Sequence, residues 1–110
     1  MNQRPEIKRL APAHLSDLNR LFTKAFSTAR APEVWEWKYF KNPHGEPVAS
    51  VAVLNGDVIG FYGLLPRRVY VNDAVMTAYQ EVDLMVDPDS SSRGLFKTLR
   101  LPSYERVRER

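Results

Sequence analysis

Two acidic residues within one apolar run are the side chains best placed for proton transfer in this sequence. Glu81 and Asp83 stand two residues apart in AVMTAYQEVDLMV, residues 74–86. Side chains two apart in a strand share one face, so we expect both carboxylates to project together. One could then remove a proton as a general base, and repulsion between the two would raise the pKa of one. The alternative is that they are solvent-facing charges paired with Arg67 or Arg68.

The turn that follows this run, DPDSSSRG at residues 87–94, is suited to holding an anion. It joins a strand-like segment to a helix-like one. The first N–H groups of a helix have no partner within the helix, and the helix dipole is positive there, so a phosphate can dock on the backbone. Gly94 would let such a ligand approach closely. The alternative is an ordinary turn at 87–90, with one of the serines capping the helix.

Length and composition indicate one small domain with a compact core, because 44% of the 110 residues are hydrophobic. There is no apolar run of about eighteen residues for a membrane span, and the N-terminal MNQRPEIKRL lacks the apolar core of a signal peptide. We therefore expect a cytoplasmic protein that is not embedded in a membrane. The absence of cysteine excludes disulfides and thiolate catalysis, and His14 and His44 lack a ligand spacing, so we predict no metal site.

Positive charge is concentrated after the serine-rich turn. The net charge is +3, and residues 93–110 carry six Lys or Arg and only two Glu. This distribution suits an anionic ligand at the start of the helix, and it also suits nucleic acid or an acidic partner. Glu105 and Glu109 interrupt the basic residues and no base-stacking aromatic motif is evident, so we expect no nucleic-acid binding. A solvated helix face would explain the charges equally well.

Hydrophobic periodicity and turn residues predict an α+β chain. An apolar stripe indicates a helix at 12–27, a second helix starts at Pro32 and stops at Asn42-Pro43, and Asn55-Gly56 forms a hairpin turn. We expect Pro66 to interrupt one strand and Pro102 to kink or break the last helix. The predicted strands are residues 6–11, 48–54, 58–64, 67–71 and 74–86.

Four aromatic side chains cluster in the second predicted helix. Trp35 and Tyr39 lie on one helical face, and Trp37 and Phe40 point toward another. They could line a pocket for an acceptor molecule. Clustered aromatics more often belong to the core, and we expect at least two of these four to be buried there.

This order of elements resembles that of the GCN5-related N-acetyltransferase (GNAT) family: a strand, two helices, a meander of three antiparallel strands, a phosphate-binding turn and a third helix. The family's signature at the turn is Gln or Arg, two residues, Gly, one residue, then Gly or Ala. The corresponding window here is SSRGLF, residues 91–96, in which Gly94 matches. The approach LMVDPD, residues 84–89, is similar to the family's apolar strand ending in a Pro-Asp turn, and WKY followed by NP, within residues 37–43, is similar to a second-helix motif of some members.

The resemblance implies transfer of an acetyl group from acetyl-CoA to an amine by direct attack, with no metal and no covalent enzyme intermediate. Glu81, and after it Asp83, would act as the base. The acceptor would be a small molecule or another amine. The alternative function is a non-catalytic binding module with a basic C-terminal helix. The implied cofactor-binding residues are Leu84, Met85 and Val86 for the pantetheine arm, and Ser91, Ser92, Arg93, Gly94, Leu95 and Phe96 for the pyrophosphate.

In the GNAT family a fifth strand follows the third helix and pairs with the fourth strand. The sequence ends at Arg110, within what is predicted to be that helix. Residues 1–110 are therefore expected to form a single domain that corresponds to the N-terminal, acyl-CoA-binding part of the family fold and appears truncated after the third helix. An unpaired strand edge tends to pair with another chain, so we expect a homodimer formed through residues 74–86 or through the third helix.

Overall fold

The structure is a computed structural model that describes residues 4–90 and 94–109. A 3-10 turn at Pro12–His14 precedes the first α-helix, and no helix in the described ranges has the length and apolar character needed to cross a membrane. The α+β order predicted from the sequence is confirmed. The elements are β1 (Glu6–Arg9), α1 (Leu15–Phe26), α2 (Pro32–Phe40), β2 (Val48–Leu54), β3 (Asp57–Val71), β4 (Ala74–Val86) and α3 (Leu95–Arg108).

The four strands form one antiparallel sheet in the order β1-β2-β3-β4. Val48 of β2 lies opposite Leu64 of β3, which lies opposite Glu81 of β4. The predicted hairpin turn is present, and both of its residues have a positive φ, 52° at Asn55 and 83° at Gly56. Among the described residues β4 has a partner on one side only, and self-association through it stays a prediction.

The helices pack on opposite faces of the sheet because both faces of the central strands are apolar. On one face α1 and α2 bury Leu18, Trp35 and Tyr39 against Phe61. On the other face Leu95 and Leu99 of α3 pack against Tyr62 and its neighbours. The prediction that at least two of the α2 aromatics belong to the core is confirmed, because Trp35 and Tyr39 are buried; Trp37 and Phe40 are exposed.

Pro66 does not interrupt β3 and Pro102 does not break α3, contrary to expectation, while a kink at Pro102 stays a prediction. β3 runs without a break from Asp57 to Val71, with Pro66 opposite Tyr79 of β4. Because β2 begins at Val48, opposite Leu64, Pro66 lies where β3 has a partner on one side only, and a missing N–H is tolerated there. Likewise α3 continues through Pro102, an exposed position at which water can reach the backbone that the proline leaves unbonded.

Candidate functional site

After β4, residues 87–90 form the turn that the sequence indicates. The N–H of Asp87 donates to the carbonyl of Ile59 at 2.7 Å, the N–H of Ser90 donates to the carbonyl of Asp87 at 2.9 Å, and the carboxylate of Asp87 accepts the N–H of Asp89 at 2.9 Å. Of the predicted pyrophosphate-binding residues, Ser91, Ser92 and Arg93 lie outside the described residues.

Gly94 is the N-cap residue of α3, so that position is not held by a serine. Its φ is 75°, and a Cβ built on it would meet no atom of the described residues beyond its chain neighbours within 4 Å, so the backbone there is open to an approaching group. Leu95 is buried in the core, whereas Phe96 is exposed. Both contribute N–H groups to the first turn of α3, where an anion can be held.

Lys24 connects α1 to this turn. Its Nζ lies 2.8 Å from a carboxylate oxygen of Asp87 and 2.6 Å from one of Asp89. Hydrogen bonds to Asp87 and Asp89 raise the pKa of Lys24, and the bond from Lys24 lowers the pKa of Asp87. Exposed ion pairs of this kind contribute little to stability. Their effect here is to place a cation beside two carboxylates in the turn that follows β4.

Glu81 lies on the α3 face of the sheet with two tyrosines. The hydroxyl of Tyr62 donates to Oε1 of Glu81 at 2.5 Å, and the hydroxyl of Tyr104, from α3, donates to the same oxygen. The two rings meet edge to face with centroids 6.2 Å apart. The hydrogen bonds from Tyr104 and Tyr62 lower the pKa of Glu81, while burial and then the bond to Glu81 raise the pKa of Tyr62. Glu81 is therefore an ionised, exposed carboxylate at neutral pH.

Asp83 lies on the opposite face, in contact with α2. It accepts hydrogen bonds from Arg30, from Lys38 at 2.8 Å and from the hydroxyl of Tyr39 at 2.6 Å, and its side chain is only 9% exposed. Burial alone would raise the pKa of Asp83, but the bonds from Arg30, Lys38 and Tyr39 outweigh it and hold that pKa below its ordinary range. Burial, followed by the charge of Asp83, raises the pKa of Tyr39, which stays a donor.

The prediction that Glu81 and Asp83 share one face is wrong, because β4 contains a β-bulge. Val82 lies opposite Gly63 and Met85 lies opposite Phe61, so two residues of β4, Asp83 and Leu84, face a single residue of β3. The extra residue reverses the alternation of side chains. Asp83 adopts a left-handed φ of 56°, which costs a residue other than glycine roughly 1–2 kcal/mol.

Two expectations that depended on a shared face for Glu81 and Asp83 are also wrong. The carboxylates do not repel each other across one face, and the pKa values of both Glu81 and Asp83 are lowered rather than raised. Neither pairs with Arg67 or Arg68: the side chain of Arg67 donates to Gln80 at 3.0 Å.

The bulge also determines which face of the sheet is taken by the side chain of each residue predicted to contact the pantetheine arm. Leu84 and Val86 pack with the α3 core, and Met85 packs with the α1 and α2 core, so their side chains are occupied on both faces. What they can offer a ligand is their backbone, along the edge of β4 that faces away from β3. No strand pairs with that edge in residues 4–90 and 94–109.

The sequence reasoning missed Lys24, Arg30 and the two tyrosines Tyr62 and Tyr104 as partners of the acidic residues. Arg30 and Asp83 stand 53 residues apart, and no local spacing signals such a contact. The two histidines are not near a metal cluster: in the described part of the chain, no group of three or more His, Cys, Asp or Glu could hold a metal ion.

A cavity of about 360 Å³ lies away from the β4–α3 turn. It is formed where α2 ends beside β1 and the start of β2, and it is lined by Arg9, Tyr39, Asn42 and Arg106 among others. Arg106 is held there by the carbonyl of Ala49, to which its guanidinium donates at 2.9 Å.

Comparison with known proteins identifies relatives of this fold. The sequence profile described as acetyltransferase (GNAT) domain matches residues 6–110. No curated protein matches the sequence. Among solved structures, the GNAT family N-acetyltransferase YhbS from Escherichia coli in complex with CoA superimposes with a TM-score of 0.77 at 20% identity. That match covers 99% of this chain and 59% of the other, so the chain spans less than two thirds of that relative.

Two proteins named AAC(6') have the same fold. AAC(6')-Iy in complex with the bisubstrate analogue CoA-S-monomethyl-acetylneamine matches with a TM-score of 0.76 at 19% identity, covering 97% of this chain and 74% of that one. The aminoglycoside 6'-N-acetyltransferase AAC(6')-Ig from Acinetobacter haemolyticus matches with a TM-score of 0.71 at 19% identity, covering 94% and 72%. At these identities the likeness shows a common fold.

Proposed function

Since this chain belongs to the GNAT acetyltransferase family, we propose that it binds acetyl-CoA at the turn between β4 and α3 and transfers the acetyl group to an amine. The observation that carries this proposal is the geometry at Gly94. A left-handed glycine with open space beside its Cα stands at the N-terminus of α3, as a backbone site for a pyrophosphate requires. In this proposal residues 1–110 form one acyl-CoA-binding domain, and its location is cytoplasmic.

The proposed chemistry uses the C-terminal end of β4 and the first turn of α3. Backbone N–H groups from Gly94 to Phe96 hold the pyrophosphate, and the free edge of Leu84–Val86 pairs with the pantetheine arm and polarises the thioester carbonyl. The amine nitrogen forms a bond to the carbonyl carbon and the carbon–sulfur bond breaks. The proton of the attacking amine passes to a base, and the departing thiolate takes up a proton from water.

The geometry favours Glu81 over Asp83 as the base. Asp83 is nearly buried and both of its carboxylate oxygens already accept hydrogen bonds from cationic groups. Glu81 is exposed, and the two tyrosines that bond to it keep it ionised. An ionised carboxylate also attracts a cationic amine, which suits a small-molecule acceptor that carries primary amines.

The alternative, a binding module with a basic C-terminal helix, has less support. The guanidinium of Arg106 turns inward to the carbonyl of Ala49 and the hydroxyl of Ser50, so it does not add to a basic face.

Replacing Glu81 with glutamine tests the proposed chemistry. We expect Glu81→Gln to lower kcat for acetyl transfer by roughly 100-fold or more, since a positioned general base contributes about 10²–10⁴-fold. CoA affinity should change little, because the amide keeps the size of the side chain. The measurement is steady-state release of CoA thiol with a panel of small primary amines, including an aminoglycoside.

Glu33→Gln is the matched control, because Glu33 is an exposed acidic residue in the first turn of α2. It should leave kcat unchanged. If Glu81→Gln keeps the wild-type kcat, the base is another group. A wild-type chain that acetylates no amine of the panel would contradict the proposed function.

A further inference from the structure

β4 holds a residue in a backbone conformation that needs an explanation. Asp83 has a left-handed φ of 56° inside a strand, at the bulge where it and Leu84 face β3 together. Backbone conformations of this kind persist only where the surroundings over-determine them. The contacts of the Asp83 side chain therefore decide whether the bulge is fixed.

Three donors fix this side chain, and we call Arg30, Lys38 and Tyr39 the clamp. The two terminal nitrogens of Arg30 reach the two carboxylate oxygens at 3.2 Å each. Lys38 and Tyr39 both donate to Oδ2, at 2.8 and 2.6 Å. Arg30 lies in the segment between α1 and α2, and the other two lie on α2, so the clamp ties β4 to this helical layer.

The donors are themselves held in place. The guanidinium carbon of Arg30 lies 4.3 Å from the ring centroid of Phe22 and 4.5 Å from that of Trp35. The ring of Tyr39 is buried, and its hydroxyl reaches Asp83 beside Gly63. A Cβ at Gly63 would lie 2.6 Å from that hydroxyl and 2.9 Å from the carbonyl of Val82, so a larger residue there would displace the clamp.

We propose that Asp83 is a positioning residue: the clamp fixes the bulge, and the bulge sets the backbone of Leu84–Val86 in the arrangement that receives the pantetheine arm. The bulge determines which face each of these side chains takes, and hence which backbone groups lie along the free edge of β4. This inference rests on the proposed function for the ligand, but the fixing of the bulge is a property of the free protein.

The test replaces Asp83 with alanine and follows two quantities. Hydrogen exchange of the amides of residues 83–86 in the free protein reports on the bulge, and isothermal titration with CoA reports on the ligand. We expect Asp83→Ala to speed that exchange at least tenfold and to weaken CoA binding at least tenfold, while the thermal transition stays cooperative. Tyr39→Phe removes a single donor and should change both quantities in the same direction by a smaller factor.

Asp73→Ala is the matched control, because Asp73 is also an aspartate with a positive φ, 66°, but is exposed in the turn between β3 and β4. It should change neither quantity. If the amides of residues 83–86 exchange in Asp83→Ala and Tyr39→Phe at the wild-type rate, the clamp does not fix the bulge. Faster exchange with unchanged CoA affinity would overturn the positioning role. If the wild-type chain does not bind CoA, the proposed function fails, and the exchange measurement still decides whether the clamp fixes the bulge. If Asp83→Ala does not fold, Tyr39→Phe decides both points.

Discussion

Replacing Trp35 with alanine is expected to lower the free energy of unfolding by about 3–5 kcal/mol, the range for removing a large aromatic side chain from a core. Trp35 is fully buried. Its ring meets those of Phe22 and Phe61 edge to face, with ring centroids 5.4 Å and 6.2 Å apart. Its Nε1 also donates to the side chain of Asn19 at 3.1 Å. The substitution would leave a cavity between α1, α2 and the sheet, and it would remove one of the rings on which Arg30 rests.

The same helix provides the control. Trp37 is two residues further along α2 and its side chain is 54% exposed, so Trp37→Ala should change the free energy of unfolding by about 0.5 kcal/mol or less. Urea denaturation followed by circular dichroism measures both variants. Equal losses from the two substitutions would mean that the burial of α2 described here is wrong.

Gly94→Val is expected to weaken CoA binding tenfold or more. A valine side chain would occupy the open space that the pyrophosphate needs, and each hydrogen bond lost to a charged group costs roughly 1.5–3 kcal/mol. Because a Cβ at Gly94 meets no atom of the described residues beyond its chain neighbours within 4 Å, crowding of the ligand rather than of the fold should dominate the loss of affinity. Isothermal titration with CoA gives the dissociation constants of the wild type and of Gly94→Val.

Gly56→Val separates this effect from backbone strain. Gly56 has a φ of +83°, close to the +75° of Gly94, and a Cβ there also meets nothing within 4 Å. It lies in the β2–β3 hairpin turn, so valine should cost similar stability but leave CoA affinity unchanged. Equal CoA affinity in Gly94→Val and the wild type would mean that the pyrophosphate does not bind at the turn between β4 and α3.

The order of elements could be predicted from the sequence because each element has a local signal. The apolar stripe of α1 has helical spacing, and Asn55-Gly56 supplies the positive φ values that a tight hairpin needs. The interruption at Pro66 and the break at Pro102 were predicted wrongly because the cost of a proline depends on what surrounds it. Pro66 lies opposite β4 alone and Pro102 is exposed, and neither fact is contained in the local sequence.

The arrangement of the acidic residues could not be predicted. Alternation places Glu81 and Asp83 on one face only if the strand is regular, and a single extra residue at the bulge separates them. The donors that hold Asp83 come from 44 to 53 residues away in the chain. Such contacts depend on how α2 packs on the sheet, which residue spacing does not encode.

Amide hydrogen exchange of the wild-type chain with and without CoA, read by mass spectrometry, tests whether CoA binds at the turn between β4 and α3. We expect CoA to slow exchange at residues 91–96, and at 84–86 along the edge of β4, because their backbone groups would bind the pyrophosphate and the pantetheine arm. Exchange at residues 67–80, in the projecting part of the β3–β4 hairpin, should not change. Unchanged exchange at residues 91–96, or protection confined to residues 42–49 around the cavity at the end of α2, would mean that CoA does not bind at the turn between β4 and α3.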